Sequence, residues 1–252
     1  MLKNLYVVYF SPTGGTKKAA LALGRNLADH IHEIDLSLPD HLAYHFEKED
    51  VVLFAAPVFV DRIPALNAEK IKTCHGNGAA AITIVAYGNR AYGDALLELN
   101  DCVKAQDFRV FASSAVITEH SMVHTVATGR PDAADKAVFK EFAKQILTKF
   151  ETDTTEPTVA GKHPYTPLKK LPATPVVSED CVKCGRCVTN CPTLAIPKEN
   201  PKTTELALCM LCMRCIVNCP KKARSLPEKL QAMMNKQLAP LETLRHDNEL
   251  FI

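Results

Sequence analysis

The stretch "YVVYFSPTGGT", residues 6–16, decides how the first half of the chain is read. Its apolar start does not alternate, which suits a strand covered on both faces. Ser-Pro-Thr-Gly-Gly-Thr then turns the chain, and helical periodicity follows over 16–30. Further runs rich in Val, Ile, Leu and Ala lie at 32–36, 51–55, 80–86 and 110–117, and further helical stretches at 65–73, 92–106 and 131–150. Regular strand–helix alternation predicts a parallel, doubly wound sheet over residues 1–150.

Beyond 150 the texture changes. Residues 151–177 set Pro157, Pro164, Pro167, Pro172 and Pro175 among Thr and Lys, the composition of an extended linker. Residues 178–227 hold eight of the ten cysteines. Residues 228–252 form a tail. Its helix, 228–238, puts Leu230, Met233, Met234 and Leu238 on one face, which reads as packing. Pro240 ends or kinks that helix, and the terminal Leu250, Phe251 and Ile252 are expected to dock on the body of the protein.

The 252 residues are 47% apolar and 23% charged, with a net charge of +2. That balance points to neither a nucleic-acid nor a membrane partner. The longest apolar run, residues 51–60, is too short to span a bilayer and contains Pro57. With no secretory signal recognised, a cytoplasmic location is expected, where clustered cysteines more often bind metal than form disulfides.

Two segments, "CVKCGRCVTNCP" at 181–192 and "CMLCMRCIVNCP" at 209–220, repeat one cysteine spacing 28 residues apart. Intervals of two, two and three residues suit the corners of an iron–sulfur cubane. Structural zinc sites usually separate two CxxC pairs by a dozen or more residues, so zinc fits badly. The segment resembles the two-cluster bacterial ferredoxins, in which the fourth cysteine of each run serves the other cluster. That resemblance implies one [4Fe–4S] cluster on Cys181, Cys184, Cys187 and Cys219, and a second on Cys191, Cys209, Cys212 and Cys215. Residues 178–227 carry eight Lys or Arg and four Asp or Glu, a balance of +4 that offsets two clusters of about −2 each. Lys183, Arg186, Arg214, Lys221 and Lys222 would raise cluster potentials or favour an acidic partner. Cys74 and Cys102 stand outside the pattern and read as ordinary buried residues.

"SPTGGT" lacks both GxGxxG and the Walker spacing. Backbone N–H groups at a helix N-terminus, with hydroxyls nearby, make a phosphate cradle without cations, although a plain helix-capping turn fits as well. The loop resembles the phosphate loop of flavodoxins, which bind FMN. "APVFVDRIP", 56–64, and "AYGNRAYGDAL", 86–96, resemble the ring-holding loops of a subgroup in which a flavodoxin domain is fused to a two-cluster ferredoxin. The resemblance implies a flavodoxin-like five-stranded sheet of order 2-1-3-4-5 and a small α+β ferredoxin domain. It places FMN phosphate on Ser11, Thr13, Gly14, Gly15 and Thr16. The ring would lie along Pro57, Val58, Phe59 and Val60 on one side, and Gly88, Asn89, Arg90, Tyr92, Gly93 and Asp94 on the other. Phe59 and Tyr92 are the expected stacking residues, and Arg62 or Arg90 would favour an anionic reduced ring. Where many flavodoxins carry glycine, this chain reads Val60-Asp61-Arg62, so a turn to positive φ there is expected to cost more.

"TEHSM", 118–122, follows the fifth strand, making His120 a weak candidate proton donor. His41, His45, His75 and His124 show no ligand spacing. Together these features suggest a low-potential electron-transfer flavoprotein passing electrons between its clusters, FMN and a partner protein, with a homodimer a further option. The alternatives are an FMN-dependent reductase of a small organic substrate and a redox sensor, for which no effector domain is found.

Overall fold

The computed structural model describes residues 1–39, 42–153 and 155–252; His41 lies outside them. The strands in chain order are β1 (Leu2–Tyr9), β2 (Ala28–Asp35), β3 (Tyr44–His45), β4 (Val51–Pro57), β5 (Cys74–His75), β6 (Ala80–Tyr87), β7 (Arg109–Ile117), β8 (Val176–Val177), β9 (Arg224–Ser225) and β10 (Glu249–Phe251). The helices are α1 (Gly15–Gly24), α2 (Ala65–Ile71), α3 (Ala95–Lys104), α4 (Ala133–Thr152), α5 (Arg186–Thr189), α6 (Arg214–Val217) and α7 (Glu228–Leu238).

The main sheet runs β10-β7-β6-β4-β1-β2. Its five parallel strands have the 2-1-3-4-5 order of the flavodoxin-like doubly wound fold. Successive side chains in each strand face opposite layers. Val7, Leu53 and Ile82 pack with α1 and α4, while Val8, Phe54 and Ala81 pack with α2 and α3. Burial on both faces explains the unbroken apolar runs.

Two details depart from the sequence reading. The sheet gains a sixth strand, because Glu249–Phe251 of the tail pairs antiparallel with Ala115–Ser113 of β7. The first helix stops at Gly24, and residues 28–35 are strand rather than the end of a helix reaching 30. At its end the helix packs closely on the sheet: a Cβ on Gly24 would lie 3.3 Å from Leu5 Cδ2 and 3.4 Å from Ile31 Cδ1. β2 is an edge strand, so its polar Asp29, His30 and Glu33 remain at the surface and blur the strand pattern.

The proline-rich segment is not a free spacer. Arg62 Nη1 donates to Thr166 O at 2.6 Å, and its guanidinium lies 4.5 Å from the Tyr165 ring centre. Asp94 accepts from the backbone N–H of Lys162 at 3.1 Å and of Thr166 at 2.7 Å.

In the cysteine-rich domain β8 and β9 pair antiparallel, closing the ends of the segment on each other. The internal repeat recurs in the backbone. Lys183 and Leu211 have φ of 53° and 51°, Gly185 and Met213 77° and 64°, and Leu194 and Lys222 54° and 51°. The N–H groups of Ala195 and Ala223 donate to Cys191 Sγ and Cys219 Sγ, each at 3.3 Å. Each pair is 28 residues apart, so the duplicated spacing folds twice into one geometry.

Candidate functional site: a phosphate loop, a shared cavity and two cysteine sets

The turn at 11–16 leaves β1 and opens α1. Gly14, with φ of 92°, adopts a conformation that favours glycine. Ser11 Oγ accepts from Lys17 N at 2.9 Å, and Lys18 N donates to Gly14 O. The N–H groups of Thr13, Gly14, Gly15 and Thr16 have no partner among the described residues, so four donors stand ready at a positive helix end. Gly15 is less constrained: an added Cβ would meet Thr118 at an ordinary 3.5 Å. The cradle is not without a cation. Arg214, from the cysteine-rich domain, places Nη1 3.5 Å from Ser11 O.

A cavity of about 490 Å³, which residues 11–16 do not line, opens between the two domains; its size is within the range of cofactor sites. The parallel domain contributes Val58, Phe59, Val60, Gly88, Arg90 and His120. The cysteine-rich domain contributes Cys209, Met210 and Leu211. Met233, Met234 and Leu238 of α7 form another wall, and Leu168 and Leu171 complete it. The methionine stripe of α7 thus lines a cavity, where the sequence suggested packing alone. A thioether-rich wall is adaptable to a flat ring.

Phe59–Arg62 forms a tight two-residue turn in which Phe59 N donates to Arg62 O at 2.8 Å. Val60 and Asp61 sit at φ of 49° and 70°. The loop therefore already occupies the left-handed region without glycine, where the sequence reading put only a cost. A β-branched residue there is strained. The opposite loop is locked against it: Gly93 has φ of 52°, and a Cβ on it would fall 2.4 Å from Asp61 Cβ.

Several predicted ring contacts have their side chains engaged elsewhere. Arg62 makes a two-pronged pair with Glu98, both contacts at 2.7 Å, and does not line the cavity. Tyr92 packs edge-on to Tyr87 and donates to Glu249 at 3.1 Å, so it is not a wall of the cavity. Asn89 donates to Leu244 O at 2.8 Å and accepts from His246 N, which ties the tail to this loop. Asp94 holds the proline-rich segment, as described. Pro57 also lies outside the cavity wall.

His120 lines the cavity, and its Nδ1 accepts from the N–H of Met122 at 3.2 Å and of Val123 at 3.1 Å. That places the proton of the neutral ring on Nε2. Burial, followed by the nearby charges of His124 and Arg90, pushes its pKa down to about 4. It is thus a neutral hydrogen-bond donor near pH 7 rather than the proton donor the sequence suggested. His45 and His75 stack on each other at 4.7 Å, and His124 pairs with Glu119 at 2.7 Å.

Cys181, Cys184 and Cys187 line one small pocket together with Cys219 from the second run. Cys191 and Cys209 share one hydrophobic core cluster, against which Cys215 and also Cys187 of the first run pack. Among the described residues no group of three or more His, Cys, Asp or Glu is placed as ligands of a single metal ion. Burial raises the Cys212 thiol to about 12 and Cys215 to about 11. Cys74 and Cys102 are likewise pushed up by burial, to about 12 and about 11.

The family model of a 4Fe-4S binding domain matches residues 174–196. Among solved structures, a short-chain flavodoxin associated with a bacterial microcompartment aligns at 15% identity and TM-score 0.41, covering 59% of this chain and 99% of its own. Flavodoxin 1 from Bacillus cereus aligns at 15% identity and TM-score 0.43, covering 58% and 98%. Rubredoxin oxygen:oxidoreductase from Desulfovibrio gigas aligns at 16% identity and TM-score 0.42, covering 59% and 36%. No curated protein matches the chain. The chain joins a flavodoxin-like fold, established by its strand order, to a 4Fe-4S binding domain. No helix among the described residues is long and apolar enough to cross a membrane.

Proposed function

We propose that this chain is an electron-transfer flavoprotein with FMN in its flavodoxin-like domain and two [4Fe–4S] clusters in its cysteine-rich domain. The observation that carries the reading is the position of Cys209. It belongs to the proposed second cluster set and also lines the cavity formed by Phe59, Gly88 and His120. Donor and acceptor would then meet at one cavity. Cys184, of the other set, is exposed, and Lys183, Arg186, Lys221 and Lys222 around it are exposed as well. Electrons would enter from an acidic partner protein at that surface, pass to the inner set and reach the flavin. The bound groups supply the redox chemistry, one electron at a time at a cluster and one or two at a flavin. The protein supplies four N–H donors for phosphate, an apolar enclosure and a neutral donor at His120.

Reduction of a small organic substrate is a second reading. It is favoured by one observation, that Arg90 and His120 line the same cavity as the apolar side chains and could meet a polar substrate group there. An anaerobic redox titration followed by absorbance and electron paramagnetic resonance tests both. About eight irons and one flavin per chain, with flavin reduced after the clusters, support transfer. Zinc in place of iron, or no flavin uptake, overturns it.

A further inference from the structure

Arg214 lies between Cys212 and Cys215 and opens α6. Its counterpart 28 residues earlier is Arg186, which opens α5 in the same geometry and is exposed. Holding a cluster therefore does not require this arginine to be buried, yet Arg214 is only 8% exposed. It is buried because it points out of its own domain and into the other.

What it meets there is incomplete. Nη1 donates to Ser11 O at 3.5 Å, Nη2 lies 3.9 Å from Asp35 Oδ2, and buried Nε has no partner among the described residues. A guanidinium has five N–H donors in a rigid fork. Two long contacts and an orphaned Nε leave a buried charge underserved, which is costly unless another group joins it. The adjacent loop has the converse surplus, with four N–H groups and no acceptor. Its own lysines are engaged: Lys17 Nζ pairs with Glu33 at 2.7 Å, and Lys18 Nζ donates to Gly129 O at 2.9 Å. Asp35, which accepts from Ser37 N at 2.8 Å, steadies the guanidinium but offers it only one long contact.

We propose that Arg214 is a phosphate-binding residue, delivered by the cysteine-rich domain to the nucleotide loop of the flavodoxin-like domain. This rests on the reading that a flavin monophosphate occupies that loop. A phosphate dianion matches both deficits, accepting from the loop N–H groups and from the arginine fork. The phosphate site is then shared between domains, and one of its donors belongs to a cluster-binding loop.

The test compares two flavins on the full chain, loaded with iron anaerobically and stripped of flavin. FMN and riboflavin differ only in the phosphate. Fluorescence titration of each is made with wild type, R214Q, R214K and the control R186Q, with iron measured in every sample. R214Q is expected to raise the FMN Kd about tenfold or more and leave riboflavin unchanged, while R186Q changes neither. Should R214Q lose iron, R214K is compared instead, since it keeps the charge but loses the fork and is expected to weaken FMN alone. FMN and riboflavin weakening together, or FMN unaffected, overturns the proposal. Wild type that takes up neither flavin overturns the flavin reading itself before any variant is compared.

Discussion

Gly88 and His120 are in contact so close that a Cβ on Gly88 would fall 2.4 Å from Cδ2 of the imidazole. Backbone after β6 and side chain after β7 thus meet with no room for a methyl group, at the wall of the cavity. His120 cannot retreat easily, because its Nδ1 is held by two N–H groups. Gly88→Ala is therefore expected to displace the ring, cost about 1–3 kcal/mol of stability and weaken flavin retention. Thermal unfolding and flavin content check this. A variant with wild-type stability and a full flavin complement would show that the contact relaxes freely.

The proposed sharing of the fourth cysteines between clusters has a stoichiometric consequence. Cys219→Ser should remove the same cluster as Cys181→Ser, although 219 sits in the other run, and leave the cluster that Cys209→Ser removes. Each variant should retain about four irons. If Cys219→Ser and Cys209→Ser abolish the same paramagnetic signal, the cysteines do not cross.

His120 also sets a pH dependence. Its pKa is about 4 in the folded protein against 6.5 for a free side chain. Between those values the unfolded chain binds the extra proton, so stability rises with pH. It is fully present above pH 6.5 and is lost as pH falls toward 4, by about 3 kcal/mol at most. Denaturant titrations across this window should show a shallower slope in His120→Gln than in wild type. Equal slopes would mean that the imidazole is not buried neutral.

Asp135 anchors the tail. It pairs with buried Arg130, the closer contact at 2.5 Å, and also accepts from Asn248 Nδ2 at 2.8 Å and Arg245 Nη2 at 3.3 Å. Asp135→Asn should cost about 3–5 kcal/mol by leaving Arg130 unpaired, and should loosen β10. Because the tail also carries α7, the cavity should open with it. Hydrogen exchange at 228–251 would report this; unchanged protection there would separate the tail from the ion pair.

Much of this protein was legible before its coordinates. The five parallel strands were readable because burial on both faces demands unbroken apolar runs, as in Val51–Pro57 and Ala80–Tyr87. The cysteine runs were readable because three closely spaced cysteines share one loop, and the fourth follows within the same run. The edges of elements were less clear. Residues 28–30 of β2 looked helical because an edge strand keeps polar residues, and β10 is only three residues long.

The site divides along the same line. Phe59, Gly88 and His120 follow strand ends, where a doubly wound sheet collects its ligands, and strand order can be argued from sequence. By themselves, the residues determined a parallel sheet with a phosphate-type turn and two cysteine runs of ferredoxin spacing. Only the tertiary structure decided that Arg62, Tyr92, Asn89 and Asp94 hold the linker and tail, that α7 walls a cavity, and that Arg214 but not Arg186 is buried. Those outcomes depend on which surfaces of two domains meet, and docking leaves no periodicity in either sequence. Arg186 and Arg214 have the same local setting, and only the facing domain distinguishes them.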